Sequence, residues 1–141
     1  MSWKGYKKLK EAFAAGTTPD PAELRGYYKV KLVTGILPDI RSFLHCKFFP
    51  MGVETEGGGF NEFLGFIRIG SFIIERTDSI LGDGQKVLRI NYNRKGNPFW
   101  LKPLNDELKK ISDGFFLGRG VFLIKGRAFN TFYFSVEKLG A

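Results

Sequence analysis

Residues 86–137 read KVLRINYNRKGNPFWLKPLNDELKKISDGFFLGRGVFLIKGRAFNTFYFSVE. Short apolar runs alternate there with legible turns: Arg94-Lys95-Gly96-Asn97-Pro98, Ser112-Asp113-Gly114 and Lys125-Gly126-Arg127. Asp-Gly between apolar runs marks a hairpin, because glycine reaches positive φ without a Cβ clash. In the first run Leu88, Ile90 and Tyr92 share one face, and Arg89, Asn91 and Asn93 share the other. In the last, Phe132, Phe134 and Val136 alternate with Thr131, Tyr133, Ser135 and Glu137. A period of two is the mark of a half-buried strand. The run 104–111 reads either as a helical turn capped by Asn105 or as a strand. The strand is preferred, because Asp113-Gly114 then closes a hairpin onto 115–124. Leu104, Asp106 and Leu108 would share its inner face, and Pro103 suits an edge or bulge. Gly118 and Gly120 lie on the face of Phe116, where they let the strand bend or a neighbour pack close. Residues 99–103 are expected to continue into this strand.

Working outward, residues 63–76 (FLGFIRIGSFIIER) form one long strand or two with a bend, since Gly65 and Gly70 permit strong coiling. Counting places Phe66, Arg68, Phe72 and Ile74 on one side. Gly82-Asp83-Gly84 turns the chain into the next strand. Upstream, PMGVETEGGGFNE has three glycines in a row, Gly57, Gly58 and Gly59. With no GK[ST] and no helix after them, they read as a flexible hairpin loop and not as a phosphate cradle. Residues 36–49 read as a short helix or turn passing into a strand near Cys46. In YYKVKLV, Tyr28, Val30 and Leu32 alternate with Lys29 and Lys31, another half-buried strand. Residues 3–15 have helical spacing, with Trp3, Tyr6 and Phe13 on one face. Their expected place is a lid over one end of the barrel, and an anionic membrane surface is the alternative.

The count is seven or eight antiparallel strands, one N-terminal helix and no βαβ alternation. The fold class is therefore mainly β: a single antiparallel barrel, one domain over 1–141, with the helix at 3–15 and the barrel at 24–138. A barrel of about eight strands either fills with side chains or holds one small ligand.

The chain has 141 residues, 22 Lys and Arg against 14 Asp and Glu, and a net charge of +8. That balance favours anionic partners: nucleic acid, acidic lipid or carboxylate ligands. One cysteine and one histidine exclude an intrachain disulfide and leave no metal cluster in view. No apolar run is long enough for a transmembrane helix, and the lysine-rich N-terminus lacks the features of a secretory signal. A cytoplasmic protein is expected.

Gly26-Tyr27-Tyr28 at the entry to the first strand, after a helix, resembles the entry of lipocalin or calycin barrels. Those usually place tryptophan two residues after the glycine, where this chain has Tyr28. The pattern VLRINYN…NP…DELKKISDGFFLGRG…YFSVE resembles small uncharacterised prokaryotic proteins of lipocalin-like type. Asn97, Pro98, Asp106, Glu107, Leu108, Asp113, Gly114, Leu117, Gly118 and Arg119 carry that resemblance. It implies the calycin-type barrel and no particular activity.

The densest polar constellation is Asp106, Glu107 and Arg119. Pairing across Asp113-Gly114 sets Arg119 near Lys109 or Leu108 and diagonal to Glu107. A carboxylate beside arginine inside a barrel would orient a ligand's polar group; the alternative is an ion pair at the rim. Tyr28, Arg68, Tyr92, Asp106 and Arg119 are the candidate ligand-binding residues, with Arg89 and Tyr133 as further pocket candidates. Arginine offers a fork that matches a carboxylate, and tyrosine adds a hydroxyl donor. His45 and Cys46 are adjacent, so on a strand they point apart and make no dyad. No catalytic motif and no cofactor motif is present. The expected function is binding of a small hydrophobic or amphipathic anionic ligand, lipid- or fatty-acid-like, within the barrel. The alternatives are a basic nucleic-acid-binding barrel, from the basic-aromatic runs 91–102 and 118–127, or a filled structural barrel.

Overall fold

The computed structural model describes residues 3–35, 44–49, 58–63 and 67–139. Helix α1 (Trp3–Ala15) and a 3-10 turn (Pro21–Glu23) precede eight strands: β1 (Gly26–Gly35), β2 (Leu44–Phe49), β3 (Gly58–Phe63), β4 (Ile67–Asp78), β5 (Lys86–Asn91), β6 (Leu104–Ser112), β7 (Phe115–Ile124) and β8 (Arg127–Lys138). Each strand pairs antiparallel with the next, and β8 returns to β1, so the sheet closes into a barrel. Closure leaves no edge strand open to another chain. Residues 36–43, which include most of the expected helix or turn after β1, lie outside the described residues.

The turns follow their chemistry. Lys125 (φ 49°) and Gly126 (φ 77°) both take positive φ, as a two-residue type I′ hairpin between β7 and β8 requires. Asp113-Gly114 closes β6 onto β7 as expected. The inner face carries Tyr28, Cys46, Phe48, Phe72, Ile74, Leu88, Ile90, Tyr92, Leu108, Phe116, Phe134 and Val136 in one buried cluster. Two ring pairs meet edge to face, Tyr28 on Phe48 (5.2 Å between centroids) and Phe72 on Tyr92 (5.6 Å), and Phe48 meets Phe72 between them at a tilt (5.3 Å). Gly118 and Gly120 admit the rings of Phe134 and Phe132, which lie 2.3 and 2.2 Å from where a Cβ would stand. Two phenylalanines of β8 thus occupy the space that β7 leaves empty.

Several expectations are corrected. Helix α1 does not lid the barrel end. It lies along the outer wall, with Tyr6, Leu9 and Phe13 against Val87, Leu117 and Tyr133. Its C-terminal end is tied to β6, where Thr17 and Lys110 exchange backbone hydrogen bonds of 2.9 and 2.7 Å. The reason is that the outer face of this wall carries apolar and aromatic side chains that need cover, a demand the inner-face pattern does not reveal. Gly58 and Gly59 are strand residues, not loop: a Cβ on Gly58 would stand 2.6 Å from the Phe72 carbonyl oxygen. Gly70 takes φ 75°, and the β3–β4 register slips between Phe60 and Asn61. Simple counting across Gly70 therefore fails, and Arg68 cannot be assigned to the face of Phe72. Residues 99–103 do not extend β6; residues 92–103 form a loop, and the strand begins at Leu104.

Candidate ligand site inside the barrel

Strand β6 carries two adjacent carboxylates, and alternation sends them to opposite faces. Asp106 points into the barrel and is 6% exposed; Glu107 points outward beneath α1 and is 0% exposed. Burial is equal, but the company differs.

Glu107 stands directly opposite Arg119, not diagonal to it as counting suggests. Arg119 Nε donates to Glu107 Oε1 at 2.9 Å. The guanidinium also donates from Nη2 to Ser79 Oγ (2.8 Å) and Asp83 Oδ2 (2.9 Å). Ser79 Oγ donates to Glu107 Oε1 at 2.8 Å, and the Ile80 amide donates to Oε2 at 2.9 Å. The Phe13 ring covers the guanidinium at 4.3 Å. This network binds the β4–β5 turn and α1 to the wall. With Nε and Nη2 of Arg119 taken and the guanidinium covered by Phe13, it is a fastening and not a ligand site. Lys109 joins its margin, donating to the Gly16 carbonyl at 3.2 Å; burial, then the Arg119 charge, pushes its ammonium pKa down.

Asp106 faces Ile90 and Gly120 across its neighbouring strands. A hydrogen-bond chain reaches it from the other side of the barrel. Asn61 Nδ2 donates to the Tyr92 hydroxyl at 2.8 Å, and that hydroxyl bonds the Asp106 carboxyl. Cys46, opposite Asn61 on β2, is buried beside them. Among the described residues no group bonds Asp106 Oδ1. Burial raises the Asp106 pKa to about 8; the Tyr92 hydrogen bond offsets part of that, and the Glu107 charge adds to it. Burial likewise pushes the Tyr92 hydroxyl and the Cys46 thiol up, with the Asp106 charge contributing to both. Below a pKa of about 8 the protonated acid predominates, and with one oxygen bonded by Tyr92 it is Oδ1 that is open to donate or to accept.

Of the five candidates, then, Tyr92 and Asp106 come together. Tyr28 lines the same interior, but its hydroxyl bonds the Arg25 backbone near the start of β1, and its ring packs on Phe48 and Phe116. Arg119 lies outside the barrel, because its odd-numbered place on β7 matches Glu107 and not Asp106. The Arg68 side chain lies outside the described residues; its backbone pairs with Glu62. Arg89 and Tyr133 are outward as well. Asn61 and Cys46 complete the site and were not among the candidates. Cys46 was legible as an inward residue opposite in face to His45, while Asn61 depends on a register that the sequence does not reveal.

Two cavities lined by described residues lie on the outer surface. One, of about 360 Å³, is bounded by Arg89, Asn91, Lys102 and Asn105 among others. The second, of about 480 Å³, lies between the end of α1 and residues 110–113. Among the described residues no group of three His, Cys, Asp or Glu could hold a metal ion, and no helix is long and apolar enough to cross a membrane. In comparisons with known proteins, no family model, no curated protein and no solved structure matches this chain.

Proposed function

We propose that the barrel binds a small amphipathic ligand, lipid- or fatty-acid-like, with its polar end at Asp106, Tyr92 and Asn61. The observation that carries this reading is Asp106 Oδ1, a buried carboxyl oxygen on the inner face with no partner among the described residues. A buried polar atom left unpaired costs about 1–3 kcal/mol, so such an atom calls for an occupant. The apolar body of the ligand would lie against the aromatic rings of the inner face.

The chemistry of the head group follows from the proton on Asp106. With Tyr92 donating to the other oxygen, Oδ1 is the one position open to a ligand: it carries the Asp106 proton and donates it to a carbonyl or carboxylate oxygen, or it accepts from a hydroxyl or a protonated carboxyl. A fatty acid would make a single hydrogen bond there, one proton lying between its carboxyl group and that of Asp106. Arg119 does not serve as its counter-ion, since it is held outside by Glu107, Ser79 and Asp83. On this reading the barrel would work as a carrier in the cytoplasm, and its eight antiparallel strands are compatible with a lipocalin-like architecture.

Native mass spectrometry of the purified protein, before and after organic extraction, tests this. A mass excess that extraction removes, and that Asp106→Leu abolishes, is the expected result. A clean apo mass with no uptake of added fatty acid or fatty alcohol would leave a filled barrel in which the aromatic cluster serves structure alone.

A further inference from the structure

Among the described residues, the connections at the two ends of the barrel differ in charge and in apolar exposure. At the end where β5 passes to β6 and β7 to β8, the segments 92–103 and 121–131 contain Arg94, Lys95, Lys102, Lys125 and Arg127 and no Asp or Glu. At the opposite end stand Asp83 and Asp113 in the turns, with Asp20 and Glu23 before β1. The basic end also exposes large apolar side chains: Phe99 (85%) and Trp100 (58%), with Leu123, Ile124 and Phe129 on the neighbouring hairpin.

That exposure is built by the fold. The 92–103 loop is fixed from within: Asn97 Nδ2 donates to the carbonyls of Tyr92 (2.7 Å) and Ser71 (2.8 Å), and its Oδ1 accepts from the Ser71 amide (3.0 Å). Leu101 is buried against Gly70. The Leu123 amide donates to the Pro103 carbonyl at 2.9 Å, so the loop and the hairpin form one surface. With Asn97 and Leu101 anchored, the residues between them are held outward.

We infer that this end of the barrel docks on an anionic lipid bilayer, with Phe99 and Trp100 seated at the headgroup level. An aromatic pair flanked by cations is the composition of interfacial anchors, and polybasic segments are drawn to anionic lipid. A second copy of this chain is disfavoured as the occupant, because the five cations of these two segments would meet five. Single-stranded nucleic acid uses aromatic platforms for stacking, yet Leu123 and Ile124 at the hairpin tip offer no stacking surface and suit acyl chains. The outer cavity bounded by Arg89, Lys102, Asn91 and Asn105 borders this surface and supplies cations and amides for a headgroup phosphate. The inference stands whether or not the interior carries a ligand.

The test uses the full chain with Trp3→Phe, which leaves Trp100 as the sole tryptophan of the original two. Vesicles of phosphatidylcholine alone are compared with vesicles containing phosphatidylglycerol. Sedimentation with the anionic vesicles only, a shift of Trp100 emission to shorter wavelength, and quenching by brominated acyl chains are expected. Phe99→Ala with Trp100→Ala, both exposed and so compatible with folding, should weaken vesicle binding at least about tenfold. Lys95→Glu with Lys125→Glu should weaken it while leaving Trp100 as reporter. No binding to anionic vesicles would overturn the inference. So would binding without Trp100 quenching, which would place the contact elsewhere, or a single-stranded oligonucleotide that quenches Trp100 and displaces the vesicles.

Discussion

The inner and outer faces of the β6–β7 hairpin solve opposite problems with neighbouring residues. Outside, Glu107 and Arg119 are paired, hydrogen-bonded on most sides and covered by Phe13. Inside, Asp106 sits one peptide away, shares one hydrogen-bonded tyrosine and keeps an oxygen free. Burial alone therefore does not identify a site. A buried charge with its partners in place fastens elements together, whereas a buried acid with a vacant oxygen is poised for something that arrives.

The comparison can be broken first on the outer face. Arg119→Ala leaves Glu107 buried without its cation and should cost about 3–5 kcal/mol in urea unfolding. Replacing both residues by Met and Leu should recover most of that loss. If the single substitution proves neutral, the network is not the fastening described. On the inner face, Asp106→Asn should change the pH dependence of stability. The folded chain holds the Asp106 proton up to about pH 8, while the unfolded chain releases it at the ordinary carboxylate value. Between about pH 4 and 8 the folded state thus binds more protons, so stability falls as pH rises, by on the order of a few kcal/mol. Asp106→Asn should flatten that slope in thermal melts, and an unchanged slope would remove Asp106 as its source.

Two smaller effects sharpen the same contrast. Gly118→Ala puts a Cβ 2.3 Å from the Phe134 ring and 2.8 Å from Leu108 on the inner face. The expected loss is roughly 1–3 kcal/mol from overpacking, read by the urea midpoint. Ser79→Ala removes the hydroxyl that links Arg119 to Glu107, and should cost about 1 kcal/mol with no change in ligand uptake.

Much of the inner face was legible from alternation. Leu88, Ile90 and Tyr92, then Leu104, Asp106 and Leu108, then Phe132, Phe134 and Val136 take the inward side that their spacing assigns. The Asp113-Gly114 and Lys125-Gly126 turns were equally plain, because positive φ restricts which residues can stand there. What alternation cannot supply is register between strands joined by long loops. Asn61 meets Tyr92 only because β3 and β5 flank β4 with a slip at Gly70, and no local pattern encodes that meeting. The position of α1 was misread for a related reason. Its stripe shows that it packs on something, while the surface that receives it, Val87, Leu117 and Tyr133, is assembled from β5, β7 and β8. Arg119 was drawn inside by its nearness in sequence to Asp106's hairpin, though its parity with Glu107 sends it out.

The central claim is that these adjacent carboxyl groups differ because only Asp106 keeps one oxygen without a partner among the described residues. The most direct measurement is a carbon-13 NMR titration of the Asp106 carboxyl in the intact protein, with Asp106→Asn to assign the resonance. The account predicts a midpoint near about 8, moving further when a fatty acid is added. A midpoint in the ordinary carboxylate range, unmoved by added ligand, would contradict it.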